Sequence, residues 1–416
     1  MADKPGKLVR SSKTEILELP PSCVEFCPAF PSYFLVGTYS LQQEHENAVP
    51  DDADAGSDPE RDVLPVTPKQ PQSRNGSIVA FRLANGDVTH VQTMPQPSAL
   101  LDLRFSPHEG RRDMCAAVSS TATLALFRLA PNKEQPLEHL NTMDIAAMSS
   151  GEIEPSPGEE ILFTSFGWHP SRADLMAVTT STGHVYLVHL ATSEGNWSLN
   201  AEPLITHTLE AWCVVISPGL NFTRRPGEAQ ESGNYSFRVY SGGDDSMLRH
   251  RTCVWSEDSF TQSSTACELR GHDAGVTAIL PLFVEEDGHE LVVTGSYDEN
   301  IRLFSFPPFG RPRKLAESGL GGGVWRLNLV DLDTVANQSY TWRARILASC
   351  MHAGVRVIDV LRTVNGEDRF EILGRFEEHK SMNYGSDLQP GSKDRLSIVS
   401  TSFYDKRLCL WEFEMA

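Results

Sequence analysis

No stretch of this chain approaches the ~18 consecutive apolar residues of a membrane helix. The opening Met1-Ala2-Asp3-Lys4-Pro5-Gly6-Lys7 lacks the apolar core of a secretory leader. The eight cysteines contain no C-x-x-C pair, and the spacing of Cys23 and Cys27 fits neither a zinc knuckle nor a redox motif. These absences lead us to expect a cytoplasmic protein with reduced, mostly buried thiols and no metal. Basic clusters are missing too: the formal net charge is −19, which repels polyanions and argues against nucleic acid as a direct partner. There is no G-x-S-x-G elbow, no H-E-x-x-H, no phosphate-binding loop and no G-x-G-x-x-G. No long apolar pattern of 3.6-residue period is present, so helices are not expected.

What is present is a phrase that repeats. Thr294-Gly295-Ser296-Tyr297-Asp298-Glu299-Asn300-Ile301-Arg302-Leu303-Phe304 reads as strand, tight turn with Asp, strand, and the pattern returns at Thr401–Trp411, Ser241–Arg249 and Ser349–Val357. The turn position advances from 245 to 298, 352 and 405, in steps of 53, 54 and 53 residues. A fixed period of tens of residues marks a repeat architecture. Weaker copies at Thr182–Val188, Thr121–Phe127 and Gly76–Phe81 bring the count to seven.

Each unit follows another strand-like run, among them Leu101–Phe105, Trp212–Ile216, Val276–Leu280 and Val324–Leu329. The expected fold is therefore all-β, a single seven-bladed WD40-type β-propeller over residues 1–416. The chain ends one strand short, and the alternating Thr14–Leu19 is expected to supply the missing outer strand and close the ring. The acidic, Pro-containing stretch near 41–75 is expected to be a disordered insertion in blade one, and Ser217–Asn234 a second insertion, in blade four.

A propeller presents function on loops at one end of its channel. The inner-strand starts and turns that share that end supply Trp212, Asp244, Tyr297, Trp325, Arg326, His352, His379, Ser381, Tyr384, Asp387 and Tyr404. Asp245, Asp298 and Asp405 are expected to hold their turns, and His272 to support the Asp298 turn. Trp411 is expected in the core. His352 differs, because it occupies the slot that Asp fills in three other repeats, and broken local rules mark candidate sites.

Six phrases carry a family resemblance: Gly-Gly-Asp-Asp at 242–245, Gly-Ser-Tyr-Asp-Glu at 295–299, Gly-Gly-Val-Trp-Arg at 322–326, Cys-Met-His-x-Gly at 350–354, His-x-Ser-x-x-Tyr-Gly-x-Asp at 379–387 and Ser-Phe-Tyr-Asp at 402–405. In this order they resemble the WD-repeat diphthine methyl ester hydrolases of the diphthamide pathway. The match covers about half the chain, blades four to seven. The resemblance implies hydrolysis of the methyl ester of methylated diphthine on elongation factor 2, releasing methanol before the final amidation, by a monomer that needs no cofactor. It hands over no catalytic mechanism.

The residues suit that substrate. Diphthine bears a quaternary ammonium, which aromatic faces attract; Trp212, Tyr297, Trp325, Tyr384 and Tyr404 would supply faces, and Asp244 or Asp387 a countercharge. Ester hydrolysis needs a base and a donor for the developing oxyanion. His352 or His379 is the expected base, with Asp387 in reserve, Ser381 a candidate nucleophile and Arg326 the candidate donor. Two other readings suit the fold: a non-catalytic propeller that binds a methylated or basic peptide, and a substrate receptor of a ubiquitin ligase.

Overall fold

Runs such as Glu290-Leu291-Val292-Val293-Thr294-Gly295-Ser296 are buried along their whole length, whereas Arg313–Gly319 alternates between exposed and half-buried. The first pattern fits a strand covered on both faces, the second an outer edge. The computed structural model describes residues 6–41, 74–144, 161–190, 197–199, 202–217, 235–256, 259–262, 265–391 and 395–415. The insertions expected near 41–75 and at Ser217–Asn234 lie almost wholly outside the described residues.

Strands of this kind assemble into seven separate sheets, antiparallel but for one added strand in blade six. Each sheet runs outward from an inner strand; in blade five the order is Val276–Val284, Glu290–Ser296, Asn300–Phe306 and Arg313–Gly319. This is the expected seven-bladed propeller. Its apolar clusters lie between blades: Leu291, Val293 and Leu303 of blade five pack with Trp342, Ile346 and Ile358 of blade six.

The ring closes through the N-terminal segment, but in a different register from the expected one. Ser11–Ile16, not Thr14–Leu19, pairs antiparallel with Arg407–Glu414, matching Ser11 to Trp411 and Ile16 to Arg407. The ladder stops after Leu17 because Pro20 and Pro21 turn the chain into the inner strand of blade one, Pro21–Phe26. Just before it, Lys7–Val9 adds a parallel fifth strand to blade six along Gly374–Phe376. The N-terminus thus stitches blades six and seven together before it opens blade one.

Trp411 is fully buried, stacks on Phe376 with ring centroids 5.0 Å apart, and donates its indole N–H to Ser400 Oγ at 3.0 Å. Truncating such a residue removes both apolar burial and the packed surface around it. Trp411→Ala is expected to lower unfolding free energy by about 3–5 kcal/mol, measured as a lower urea midpoint at unchanged slope. A shift below ~1 kcal/mol would mean that the blade-seven core relaxes around the gap.

Candidate functional site

Backbone bonds tie each turn to the start of an inner strand. Asp244 N–H donates to Glu210 O, Tyr297 N–H to Gly275 O, Trp325 N–H to Ser349 O and Phe403 N–H to Met382 O, all at 2.8–2.9 Å. The repeat therefore brings these residues to one end of the channel, and close approach sharpens the arrangement. A Cβ at Gly275 would sit 2.8 Å from Asp244 Oδ1 and 3.0 Å from the Tyr297 ring. One at Gly323 would sit 2.8 Å from Met351 Sδ. At Gly275 a side chain would press on both turns, so glycine lets them approach the mouth closely.

Trp325 is the centre of an aromatic mouth. Its ring centroid lies 5.8 Å from Trp212, 6.0 Å from Tyr297 and 5.0 Å from Tyr384. The chain of rings continues from Tyr384 to Phe403 at 5.5 Å and from Phe403 to Tyr404 at 5.0 Å, with Tyr39 6.2 Å from Phe403. Trp212 Nε1 donates to Asp244 Oδ1 at 3.2 Å, which fixes one face of the mouth and sets a carboxylate beside it. Burial raises the pKa of Tyr297 and Tyr384, so both phenols stay neutral. Trp212, Trp325, Tyr297 and Tyr384 are half-buried, while Tyr404 is 70% exposed and marks the outer rim.

Behind the mouth, Trp212 and Trp325 also line a channel of about 500 Å³ at the inner strands. Its walls hold Asp102, Arg104, Glu25, Arg326, Asn328 and Asp387. Arg326 Nη2 meets Asp102 Oδ1 at 2.5 Å, Arg104 Nε meets Oδ2 at 3.0 Å, and the Ser165 hydroxyl donates to the same oxygen at 2.9 Å. Burial opposes ionisation of Asp102, but the two guanidinium groups outweigh it and hold the carboxyl below its ordinary range. The same pairing raises Arg326 despite its burial.

Asp387 accepts from Phe26 N at 2.7 Å and from Asn328 Nδ2 at 3.1 Å. Burial nevertheless pushes it up to about 6. Burial, reinforced by the Asp387 charge, pushes Glu25 to about 8. Arg326 and Asp387 thus share one charged cavity. Sequence reading missed Asp102, Arg104 and Glu25, which come from the first two blades, where no phrase stood out. The signal available was charge at inward positions of inner strands, such as Glu25 within Pro21–Phe26.

His379 and Ser381 are each engaged within blade seven. His379 is buried, with Nε2 2.8 Å from Ser400 Oγ, the hydroxyl that also takes the Trp411 indole. Burial lowers it to about 4. The same connection recurs as His272 to Thr294 at 2.8 Å and His207 to Ser241 at 3.0 Å. These are supports inside three blades. Ser381 donates to Asp405 Oδ1 at 2.8 Å and accepts from Tyr404 N at 2.9 Å, so its hydroxyl is engaged in the turn. The Asp residues expected to hold turns do so: Asp298 accepts from Asn300 N and Asp273 N, and Asp245 from Met247 N and Thr208 N.

His352 reaches the same end of the ring and is exposed. Its slot is that of the Asp residues: the last ladder pairs are Gly295 with Ile301 and Ser349 with Val355, so His352 stands where Asp298 does. The two turns are equal in length but differ in conformation, with positive φ at Glu299 in blade five and at Met351 and Gly354 in blade six. Ala348 and Ile358 stand where Thr294 and Phe304 stand beside His272 in blade five, and both are fully buried. An Asp there would have no histidine to support. The departure that drew attention to His352 therefore has a structural cause.

No protein-family model matches the chain. Among solved structures, the fold is similar to the WD40 repeats of RRP9, with TM-score 0.56 and 12% identity, covering 98% of this chain and 99% of that one. It is also similar to U3-55K, with TM-score 0.57 and 12% identity over 99% of this chain and all of the other. At such identity these likenesses support the fold alone. Curated relatives say more. "Diphthine methyltransferase" of Schizosaccharomyces pombe is 25% identical over 401 residues, 96% of each chain. That of Saccharomyces cerevisiae is 27% identical over 373 residues, 81% of this chain and 88% of its own. The human protein of that name is 24% identical over 393 residues, 89% of this chain and 72% of its own. The resemblance carried by six phrases in the last four blades extends over most of the chain, which is a homologue of the proteins named diphthine methyltransferase.

Proposed function

We propose that this protein acts in diphthamide biosynthesis and hydrolyses the methyl ester of methylated diphthine on elongation factor 2, giving diphthine and methanol. The observation that carries the reading is the juxtaposition of a cation-attracting aromatic mouth with a charged, water-accessible channel. The quaternary ammonium is held against Trp325, with Trp212, Tyr297 and Tyr384 around it, each face contributing roughly 0.5–2 kcal/mol. Asp244 adds a countercharge beside Trp212. The ester carbonyl then points toward the channel, where Arg326 faces the oxygen that becomes negative during attack.

Asp387 is the base in this reading. It lines the same cavity as Arg326, and its raised pKa suits proton transfer near neutral pH. It takes a proton from water as the water oxygen bonds to the ester carbon. Collapse of the adduct breaks the bond to the methoxy oxygen. The same mouth also suits a propeller that only binds a trimethylated group, and the relatives' name speaks of methyl transfer.

One experiment separates these. Purified protein is incubated with methylated diphthine on elongation factor 2 and the product is read by intact mass. Loss of one methyl with methanol released is the expected result. Binding without a mass change points to the non-catalytic reader; gain of a methyl group from an added donor would sink the hydrolysis reading. Trp325→Ala is expected to weaken binding of the methylated substrate by ~2–30-fold, the equivalent of one cation–π face, with little change in kcat.

A further inference from the structure

The channel contains more acid than one reaction base requires. Asp102 is held by both Arg326 and Arg104 and by the Ser165 hydroxyl. Two guanidinium groups against that single carboxylate leave one positive charge for Asp387 and Glu25 to share. The two carboxyls sit on neighbouring inner strands, since the amide that holds Asp387 belongs to Phe26, the residue after Glu25. Their surroundings are unequal. Asp387 accepts a backbone N–H and a carboxamide N–H, both of which favour its ionised form. Glu25 is half-buried and lines the cavity, and its carboxyl receives no hydrogen bond from any described residue. Charge balance and donor placement therefore give the negative charge to Asp387 and the proton to Glu25.

We propose that Glu25 is a second catalytic carboxyl, the acid that protonates the departing methoxy oxygen. The inference rests on the hydrolysis reading and deepens it. Water attacks, Asp387 accepts one of its protons, and the C–O bond to the methoxy group breaks. Glu25 gives its proton to that oxygen, releasing methanol and leaving a glutamate anion. The proton now on Asp387 returns to Glu25 through channel water, which restores both groups with one water consumed. The groups that set the proton on Glu25 are Asp387 of blade seven, Arg104 and Asp102 of blade two, and Arg326 of blade six. Burial and the Asp387 charge raise Glu25 to about 8, the range in which an acid serves at neutral pH.

The test is kcat against pH for wild type and Glu25→Gln on elongation factor 2 carrying methylated diphthine. Wild type is expected to lose activity as pH rises through about 8, where Glu25 surrenders its proton. Glu25→Gln, equal in size and unable to give the proton, is expected to lose ~10²-fold or more and to show no such alkaline limb. Its affinity for tetramethylammonium ion, read by tryptophan fluorescence, is expected to match wild type. A Glu25→Gln rate within threefold of wild type, or an alkaline limb that survives in the variant, overturns the inference and leaves hydrolysis standing. If the variant fails to fold, a flat wild-type profile between pH 7 and 9 overturns it equally. A wild type that releases no methanol at any pH overturns the inference and the hydrolysis reading together.

Discussion

Arg326→Lys is expected to lower kcat for methyl ester hydrolysis by ~10²–10³-fold, the scale of one lost oxyanion donor. The substitution keeps a positive charge beside Asp102, so the ion pair inside the channel survives in part and the fold with it. What is lost is the planar fork. In the native side chain one nitrogen is fixed on Asp102 at 2.5 Å, and the residue lines the cavity. Asp102 is itself fixed by Arg104 and Ser165. The guanidinium is thus preorganised before substrate arrives, which is the condition under which such donors act most strongly. A lysine ammonium can hold Asp102 or reach a substrate oxygen, but it lacks the geometry for both. Steady-state kinetics on elongation factor 2 carrying methylated diphthine checks this, with thermal unfolding as control. A folded variant with kcat within a factor of three of wild type would remove Arg326 from the reaction.

Some of this was written plainly in the sequence. The turns at Asp245, Asp298 and Asp405 carry a local rule, so their repetition exposed the blades and the face they share. The aromatic mouth followed, because Trp212, Tyr297, Trp325 and Tyr384 occupy repeat positions that the backbone bonds bring together. The N-terminal strand was found in the wrong register because alternation continues from Ser11 to Leu19, and only the pairing partner and the two prolines decide where a ladder ends. His379 and Ser381 looked available because a one-dimensional string does not show that Ser400, Trp411 and Asp405 engage their polar atoms. Glu25, Asp102 and Arg104 were invisible for the opposite reason. They belong to no repeated phrase, and they become one cluster only when blades one, two, six and seven meet around the channel.

Asp387→Asn is expected to lower kcat by ~10²–10⁴-fold, the range for loss of a general base. In wild type the rate is expected to rise with pH through about 6, where Asp387 ionises, and the variant loses that acidic limb. His352→Ala is the matched comparison. His352 is exposed in a turn, and its departure from the Asp pattern is explained by the apolar interior of blade six. It is therefore expected to retain most of the activity. A ~10²-fold loss there, with Asp387→Asn near normal, would move the base from the channel to the rim.

Stability provides a second readout that does not depend on turnover. The folded-state pKa of Asp387 lies above its ordinary value of 3.8, because burial costs more than its hydrogen bonds return. The stability tied to its protonated form is fully present below the unfolded value and is lost as pH rises through about 6. Wild type is therefore expected to lose part of its melting temperature between pH 4 and pH 7 that Asp387→Asn keeps. Parallel melting curves for the two proteins across that window would show that Asp387 ionises like a solvated carboxylate. It could then not be the tuned base that the channel geometry calls for.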